Sequence, residues 1–222
     1  MNPFEEGQVM LINKPIGWTS ADVVKKIRNR VHTKVGHAGT LDPLATGLLI
    51  LCTGKFTKKI SEYMSQEKEY TGTITLGATT ASFDLETTPE NLKDFSQVDQ
   101  TALLEVSKKF TGEIIQVPPI YSAIKKNGER SYDLARQGRA VTLEGRRVFI
   151  KDFEMHILEL PIISFHVTCS TGTYIRSLAN DVGQSLGCGA YLSSLCRTRI
   201  GNYHLENAIN PELTDIKIRT DN

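Results

Sequence analysis

A glycine-rich stretch at residues 35–47 restricts the backbone of this chain more than any other part of its sequence. It reads VGHAGTLDPLATG and leads into an apolar run typical of a buried strand. Gly39 and Gly47 permit tight or positive-φ geometry, and Pro43 favours an extended backbone at Asp42. A carboxylate held in one orientation suits a nucleophile. Asp-Pro also begins ordinary turns in which the aspartate caps backbone amides, so the local sequence leaves both roles open.

Apolar periodicity along the rest of the chain alternates between strand and helix patterns. A helix capped by Thr19 or Ser20 is expected to bury Val23, Val24, Ile27 and Val31 on one face. Strands are predicted at residues 9–12, 47–53, 70–76, 148–158 and 162–169, and further helices at 55–64, 99–110, 131–137 and 174–186. This order predicts an α/β protein with a mixed sheet. Since no linker or internal repeat divides the sequence, residues 1–222 are expected to form a single domain.

The composition excludes several protein classes. The start of the chain lacks a basic segment followed by an apolar one, and the densest apolar run, residues 48–52, is too short to span a bilayer. The four cysteines form no C-x-x-C motif, and the five histidines show no ligand spacing. We therefore expect a cytoplasmic protein with reduced thiols and no metal site.

The net charge of +1 hides a strong asymmetry along the chain. Residues 1–60 carry nine Lys/Arg against four Asp/Glu, and residues 121–151 carry eight against three. Residues 82–105 carry six acids and one lysine. Two basic segments with an acidic one between them suit a polyanion held on one face, although ordinary solvated surface is the alternative.

Three further side chains are candidates for a site. Arg176 stands in the first turn of the predicted helix at 174–186, where the positive end of the helix dipole disfavours a cation. An anionic partner is therefore expected, either a phosphate or a carboxylate such as Asp42; a solvent-exposed arginine is the alternative. Tyr70 and Tyr174 lie beside charged residues, as a stacking platform for an unstacked base requires. Aromatic residues in strands more often simply fill the core.

Six motifs occur in order along the chain: INKPIGWTS (12–20), VGHAGTLDPLATG (35–47), KEY (68–70), PPIYSAIK (118–125), GTYIR (172–176) and LGCGAYLSSL (186–195). Through these motifs, from about Val9 to Tyr203, the chain resembles the TruB family of tRNA pseudouridine-55 synthases. The resemblance implies the pseudouridine synthase fold, with a mixed, mostly antiparallel central sheet flanked by helices. It also implies an isomerase that flips uridine-55 out of the T-loop of tRNA and converts it to pseudouridine without a cofactor.

The resemblance carries roles to individual residues. It implies that Asp42 is the catalytic nucleophile, that Tyr70 stacks on the target base and that Arg176 is the ion-pair partner of Asp42. It also implies a binding set in which Tyr174 and Leu195 line the uridine pocket, Lys14 supports that pocket and His37 contacts the T-loop.

The basic segment at residues 121–147 matches the RNA-clamping insertion of the family, called the thumb. Many relatives continue into a small RNA-binding domain called PUA, which the residues after Ile209 are too few to form. A catalytic domain alone is therefore expected. As a separate expectation, the protein is a monomer. Two positions depart from the family pattern, since one of two common aspartates is missing near Asp84 and Cys196 stands where an arginine is frequent. Neither residue is assigned a role.

Two other functions compete with this interpretation. The basic segments alone would equally support a noncatalytic RNA-binding or RNA-folding protein, in which Asp42 would be dispensable. A methyltransferase would need a glycine-rich cofactor loop after the first strand, which residues 13–17 do not supply.

Overall fold

The computed structural model describes residues 2–121, 125–126, 129–130 and 143–212. The strands are β1 (Val9–Lys14), β2 (Val35–His37), β3 (Ala45–Thr53), β4 (Lys68–Leu76), β5 (Gly112–Gln116), β6 (Lys125–Lys126), β7 (Glu129–Arg130), β8 (Arg146–Glu159), β9 (Ile162–Cys169), β10 (Ala190–Ile200) and β11 (Tyr203–His204). The α-helices are α1 (Pro3–Glu6), α2 (Ser20–Val31), α3 (Ile60–Met64), α4 (Gln100–Phe110) and α5 (Ile175–Ser185), and 3₁₀ turns cover Gly54–Lys59 and Leu205–Asn207.

The chain divides into two compact units. The first unit is Met1–Tyr70 with Cys196–Asn222, and the second unit is Thr71–Leu195. Both β4 and β10 contain a unit boundary, so each strand contributes residues to both units. In the part of the chain that the structure describes, no helix is long and apolar enough to cross a membrane.

In the first unit, β3 forms the centre of the sheet. It pairs antiparallel with β1, from Val9↔Cys52 to Lys14↔Gly47, and with β2. Side chains of alternate residues on a strand point to opposite faces. Leu49 and Leu51 accordingly join one apolar cluster, while Leu48, Ile50 and Cys52 join another. Burial on both faces explains why this strand reads as a continuous apolar run.

The helix α2 covers one of these two clusters. Its N-cap Thr19 accepts a hydrogen bond from the Asp22 amide, and the Asp22 carboxylate accepts one from the Thr19 amide, which forms a capping box. Val23, Ile27 and Val31 are buried, as the 3.6-residue spacing predicts, and Val24, expected on the same face, is half-buried against the cluster. The helix expected after Thr19 is therefore confirmed.

In the second unit, β8 pairs antiparallel with β9 on one side and with β5 on the other. Side-chain hydrogen bonds join the helix α4 to β8. Ser107 Oγ donates to the Phe153 carbonyl, and the Gln100 amide donates to the Met155 carbonyl and accepts from the Ile157 amide. The helix α5 buries Ile175, Leu178 and Val182 along one face. The predicted strand at 162–169 is confirmed with the same ends. The predicted strand at 148–158 and the helices at 99–110 and 174–186 are confirmed with ends shifted by one or two residues.

The predicted α/β class with a mixed sheet flanked by helices is confirmed. Residues 55–64, predicted as one helix, form a 3₁₀ turn followed by α3. The strands β5 and β10 were not predicted, because neither shows a clear alternation of apolar and polar residues. The predicted helix at 131–137 and most of the thumb at 121–147 lie outside the described residues. The single domain stays a prediction.

Candidate active site

Asp42 lies half-buried in the loop between β2 and β3, residues 38–44, which we call the Asp42 loop. Hydrogen bonds fix the backbone on both sides of it. The Leu41 amide donates to Ser20 Oγ at 2.9 Å, and the Pro43 carbonyl accepts from the Gly17 amide at 2.8 Å. The loop is thereby tied to the segment that begins α2, and the Asp42 backbone is held in place.

Two glycines give this region its geometry. Gly39 has φ +94° and Gly47 has φ +102°, backbone angles that favour glycine. A Cβ at Gly47 would also lie 2.4 Å from the Arg197 carbonyl oxygen. The positive-φ geometry expected at both positions is confirmed.

Lys14 is fully buried at the end of β1 and anchors the same loop. Its Nζ donates to the carbonyls of Pro15 (3.0 Å), Trp18 (2.6 Å) and Pro43 (3.3 Å). Burial lowers the pKa of Lys14 from 10.5 to about 8, although the negative charge of Asp42 partly opposes this shift. Lys14 therefore supports the backbone next to the carboxylate from within the core.

His37 closes β2 just before the Asp42 loop and is half-buried. Burial, followed by the positive charge of Arg197, holds the pKa of His37 below its ordinary value of 6.5. The imidazole ring is consequently neutral at physiological pH.

Arg197 is a buried residue of this region that the sequence analysis missed. Its side chain lies in the first unit, where Nε donates to the Leu48 carbonyl at 2.8 Å and Nη2 donates to the Gly39 carbonyl at 3.1 Å. The last recognised motif ends at residue 195. Its contacts are far away in sequence, so only a three-dimensional arrangement reveals them.

Tyr70 is buried at the end of the first unit's portion of β4, with 8% of its surface exposed. The strand that carries it begins at Lys68, whose buried Nζ donates to the carbonyls of Met64 and Gln66. The KEY tripeptide therefore anchors the start of this strand in the first unit.

In the second unit, Arg176 stands in the first turn of α5, as predicted, and is almost fully buried. Its Nη1 donates to the Ser82 carbonyl at 3.3 Å, and its Nε lies 3.7 Å from Asp84 Oδ2. The expected anionic partner is thus present as Asp84, a residue to which the sequence gave no role. The pairing of Arg176 with Asp42 stays a prediction.

Tyr174 precedes Arg176 as the N-cap residue of α5. The buried Gln116 side chain accepts from the Tyr174 amide at 2.8 Å and donates to the Tyr174 carbonyl at 3.1 Å. The Arg146 guanidinium lies 4.5 Å from the centroid of the Tyr174 ring, a cation–π contact. Leu195 is half-buried on β10. Gln116 and Arg146 are positioning contacts that no local pattern indicated.

The structure groups the predicted site residues by unit. In the first unit Lys14, His37 and Asp42 lie in one region around Arg197, and Tyr70 lies on β4. In the second unit Tyr174 and Arg176 adjoin at the start of α5. Among residues 2–121 and 143–212, no group of three or more His, Cys, Asp or Glu side chains could hold a metal ion.

Comparison with known proteins gives consistent matches. The family model for TruB family pseudouridylate synthase (N terminal domain) matches residues 25–175. The chain is 51% identical over 220 residues to a tRNA pseudouridine synthase B of Flavobacterium johnsoniae, covering 95% of this chain and 96% of that protein. It is 47% identical to a protein of the same name from Chlorobaculum tepidum, covering 93% of this chain and 88% of that protein.

Solved structures give the same result for the fold. The chain superposes on a Cbf5-Nop10-Gar1 complex with a TM-score of 0.72 and 31% identity, covering 93% of this chain and 53% of the matched chain. It also matches an H/ACA RNP bound to a substrate RNA containing 2'-deoxyuridine, with a TM-score of 0.69, 29% identity and coverage of 93% and 51%. This chain thus spans about half the length of the matched chain in each of these two structures. From its sequence and its fold together, the chain belongs to the TruB family of pseudouridylate synthases.

Proposed function

We propose that this protein isomerises uridine to pseudouridine in tRNA, at uridine-55 of the T-loop. The observation that carries the proposal is 51% identity with a tRNA pseudouridine synthase B across 96% of that protein's length. The Asp42 loop also supports the proposal, because its hydrogen bonds hold the backbone of a carboxylate residue in place, as a nucleophile requires.

The reaction needs no outside reagent. The bond between ribose C1′ and uracil N1 breaks, the uracil turns, and a bond forms between C1′ and uracil C5. The proton leaves C5, and N1 ends with a proton, so the atoms balance. Asp42 is the nucleophile and assists the cleavage of the first bond, a role that requires an ionised and fixed carboxylate.

The other site residues bind and orient the nucleotide. A uridine within a folded arm must be flipped out, which costs a few kcal/mol that stacking on Tyr70 and phosphate contacts offset. Arg176 keeps the Asp42 carboxylate ionised through charge-assisted contact. Its burial and its contacts with Ser82 and Asp84 support a fixed guanidinium.

The remaining residues hold the RNA around that uridine. Tyr174 and Leu195 line the pocket, Lys14 supports it, and the neutral ring of His37 contacts the T-loop. The thumb at residues 121–147 contacts phosphates of the T-arm, which positions the RNA without reading its sequence. The protein acts in the cytoplasm as a monomer, and residues 1–222 work as one catalytic domain.

Asp42→Asn tests the proposal, since it keeps the shape of the side chain and removes its charge. Wild-type protein should release tritium from tRNA labelled at uracil C5, and the variant should be slower by on the order of 10³-fold or more with similar tRNA affinity. The matched control is Asp99→Asn, the same substitution at the N-cap of α4 in the second unit, which should keep the rate.

The two functions predict different results. A noncatalytic RNA-binding protein would yield no pseudouridine even from the wild type. An Asp42→Asn variant as fast as the wild type would refute the role of the nucleophile.

A further inference from the structure

The Asp42 loop is attached to a buried cation that does not belong to the proposed catalytic set. Arg197 bonds one carbonyl in the loop, at Gly39, and one in the strand that follows it, at Leu48. Its side chain is almost completely buried. The two bonds therefore join the backbone before Asp42 to the backbone after it.

Gly47 brings this arginine within reach of the loop. A Cβ at that position would lie 2.4 Å from the Arg197 carbonyl oxygen and 2.7 Å from its amide nitrogen. Because glycine has no Cβ, the backbone of β3 lies directly against that of β10 at this point. The guanidinium then donates to the two carbonyls from two different nitrogens of one planar, rigid group, which the single nitrogen of an ammonium cannot reproduce.

Stability alone gives no reason for a guanidinium at this place. Burying a charge is costly, and apolar residues of similar volume often replace buried charges without loss of stability. The apolar cluster around Leu48 and Ile50 already includes Ile200 from the same strand. The hydrogen bonds of Arg197 to the Gly39 and Leu48 carbonyls therefore explain its presence better than its packing in the apolar core does.

The charge of Arg197 is felt by the two titratable neighbours of the Asp42 loop. It contributes to the lowered pKa of His37 and to that of Lys14. Lys14 in turn bonds the Pro43 carbonyl, directly after Asp42. Two buried cations thus support the loop on its two sides, Arg197 at Gly39 and Lys14 at Pro43.

We propose that Arg197 is a positioning residue for Asp42, which fixes the Asp42 loop through the Gly39 and Leu48 carbonyls so that the carboxylate meets the flipped nucleotide correctly. This inference rests on the proposed pseudouridine synthase function. A misplacement of about 1 Å at a reacting group can cost about 10²-fold in rate. Loss of Arg197 should therefore slow the chemical step and leave tRNA affinity unchanged.

Arg197→Lys and Arg197→Gln test this role in single-turnover reactions with saturating enzyme and a tRNA transcript. Lysine keeps the charge and its N–H donors but loses the planar fork, so the rate should fall about tenfold. Glutamine loses both the charge and the fork, so the rate should fall about 100-fold. The affinity for tRNA should stay within about threefold. In nuclear magnetic resonance titrations, the pKa of His37 should rise in Arg197→Gln and stay low in Arg197→Lys.

The control variant is Thr53→Val, in the same unit. Thr53 is also fully buried, and its Oγ1 donates to the Phe4 carbonyl (2.8 Å) and accepts from the Gln8 amide (3.0 Å), but it takes no part in the Asp42 loop. Its loss should lower stability and leave the rate per folded molecule unchanged.

Three results would overturn the positioning role. The first is a rate within twofold of wild type in a folded Arg197→Gln variant. The second is a loss of tRNA affinity in parallel with the rate. The third is failure of both Arg197 variants to fold, which would show that the residue serves only the core. Absence of pseudouridine with wild-type protein would instead refute the proposed function itself.

Discussion

Replacing Asp84 by asparagine should destabilise the second unit far more than its one-atom change suggests. The Asp84 carboxylate lies 3.7 Å from Arg176 Nε, and the two side chains are only 7% and 4% exposed. Unit charges at this separation attract by about 4 kcal/mol at an effective dielectric constant of about 20. Asp84 Oδ1 accepts a hydrogen bond from the Glu86 amide, and asparagine Oδ1 can accept the same bond, so the substitution mainly removes the charge. We expect the free energy of unfolding to fall by about 3 kcal/mol.

The matched control is Glu113→Gln, again a carboxylate changed to an amide in the second unit. Its partner Arg147 lies closer, at 3.1 Å, but the two side chains are 62% and 76% exposed. Solvent screens such a pair, so Glu113→Gln should lower the free energy of unfolding by less than about 1 kcal/mol. Urea unfolding followed by circular dichroism measures both variants. If Asp84→Asn lowered the free energy of unfolding no more than Glu113→Gln does, burial would not determine the strength of these ion pairs.

Two further predictions concern the first unit. Gly47→Ala should lower the free energy of unfolding by about 2 kcal/mol or more, because the new Cβ clashes with the Arg197 backbone and the residue has a positive φ. Gly17 also has a positive φ, +81°, but no atom lies within 4 Å of the new Cβ. Gly17→Ala should therefore lower the free energy of unfolding by only about 1 kcal/mol in the same urea titration. The pKa of Lys14 is about 8 in the folded protein and 10.5 in the unfolded chain. Between these two pH values the unfolded chain binds more protons than the folded protein. The free energy of unfolding should therefore rise with pH in this range, by up to about 3 kcal/mol. The rise should be missing in Lys14→Met, and an identical pH profile for wild type and variant would disprove the shift.

Local patterns predicted most of the fold because they record which face of each element is buried. The apolar run of β3 is continuous because its alternate side chains enter two different clusters. By contrast, β10 was missed because polar residues interrupt it. Their partners come from another strand, as where Thr73 Oγ1 hydrogen-bonds Ser193 Oγ at 2.9 Å and Ser194 Oγ at 2.8 Å. Such a pairing is a property of the sheet and leaves no periodic trace in the strand itself.

The candidate site shows the same division between local and distant information. The positive φ of Gly39 and Gly47 follows from the residue types in one short stretch. The residues that hold the site are distant in sequence, since Arg197 bonds a carbonyl 158 positions away and Gln116 bonds Tyr174 across 58 positions. A single sequence contains no measure of such proximity, so these supports became visible only in three dimensions.

Counting charges gave an incomplete account of the basic segments, and burial explains why. Of the nine cations in residues 1–60, Lys14 is buried against three carbonyls and cannot face a polyanion. Lys25, Lys26 and Arg28 are exposed on α2, where a phosphate backbone could reach them. A basic count thus combines cations that neutralise backbone dipoles inside the protein with cations that present charge outside it. Only the exposed group supports contact with RNA, and only the buried group explains how the backbone beside Asp42 is held.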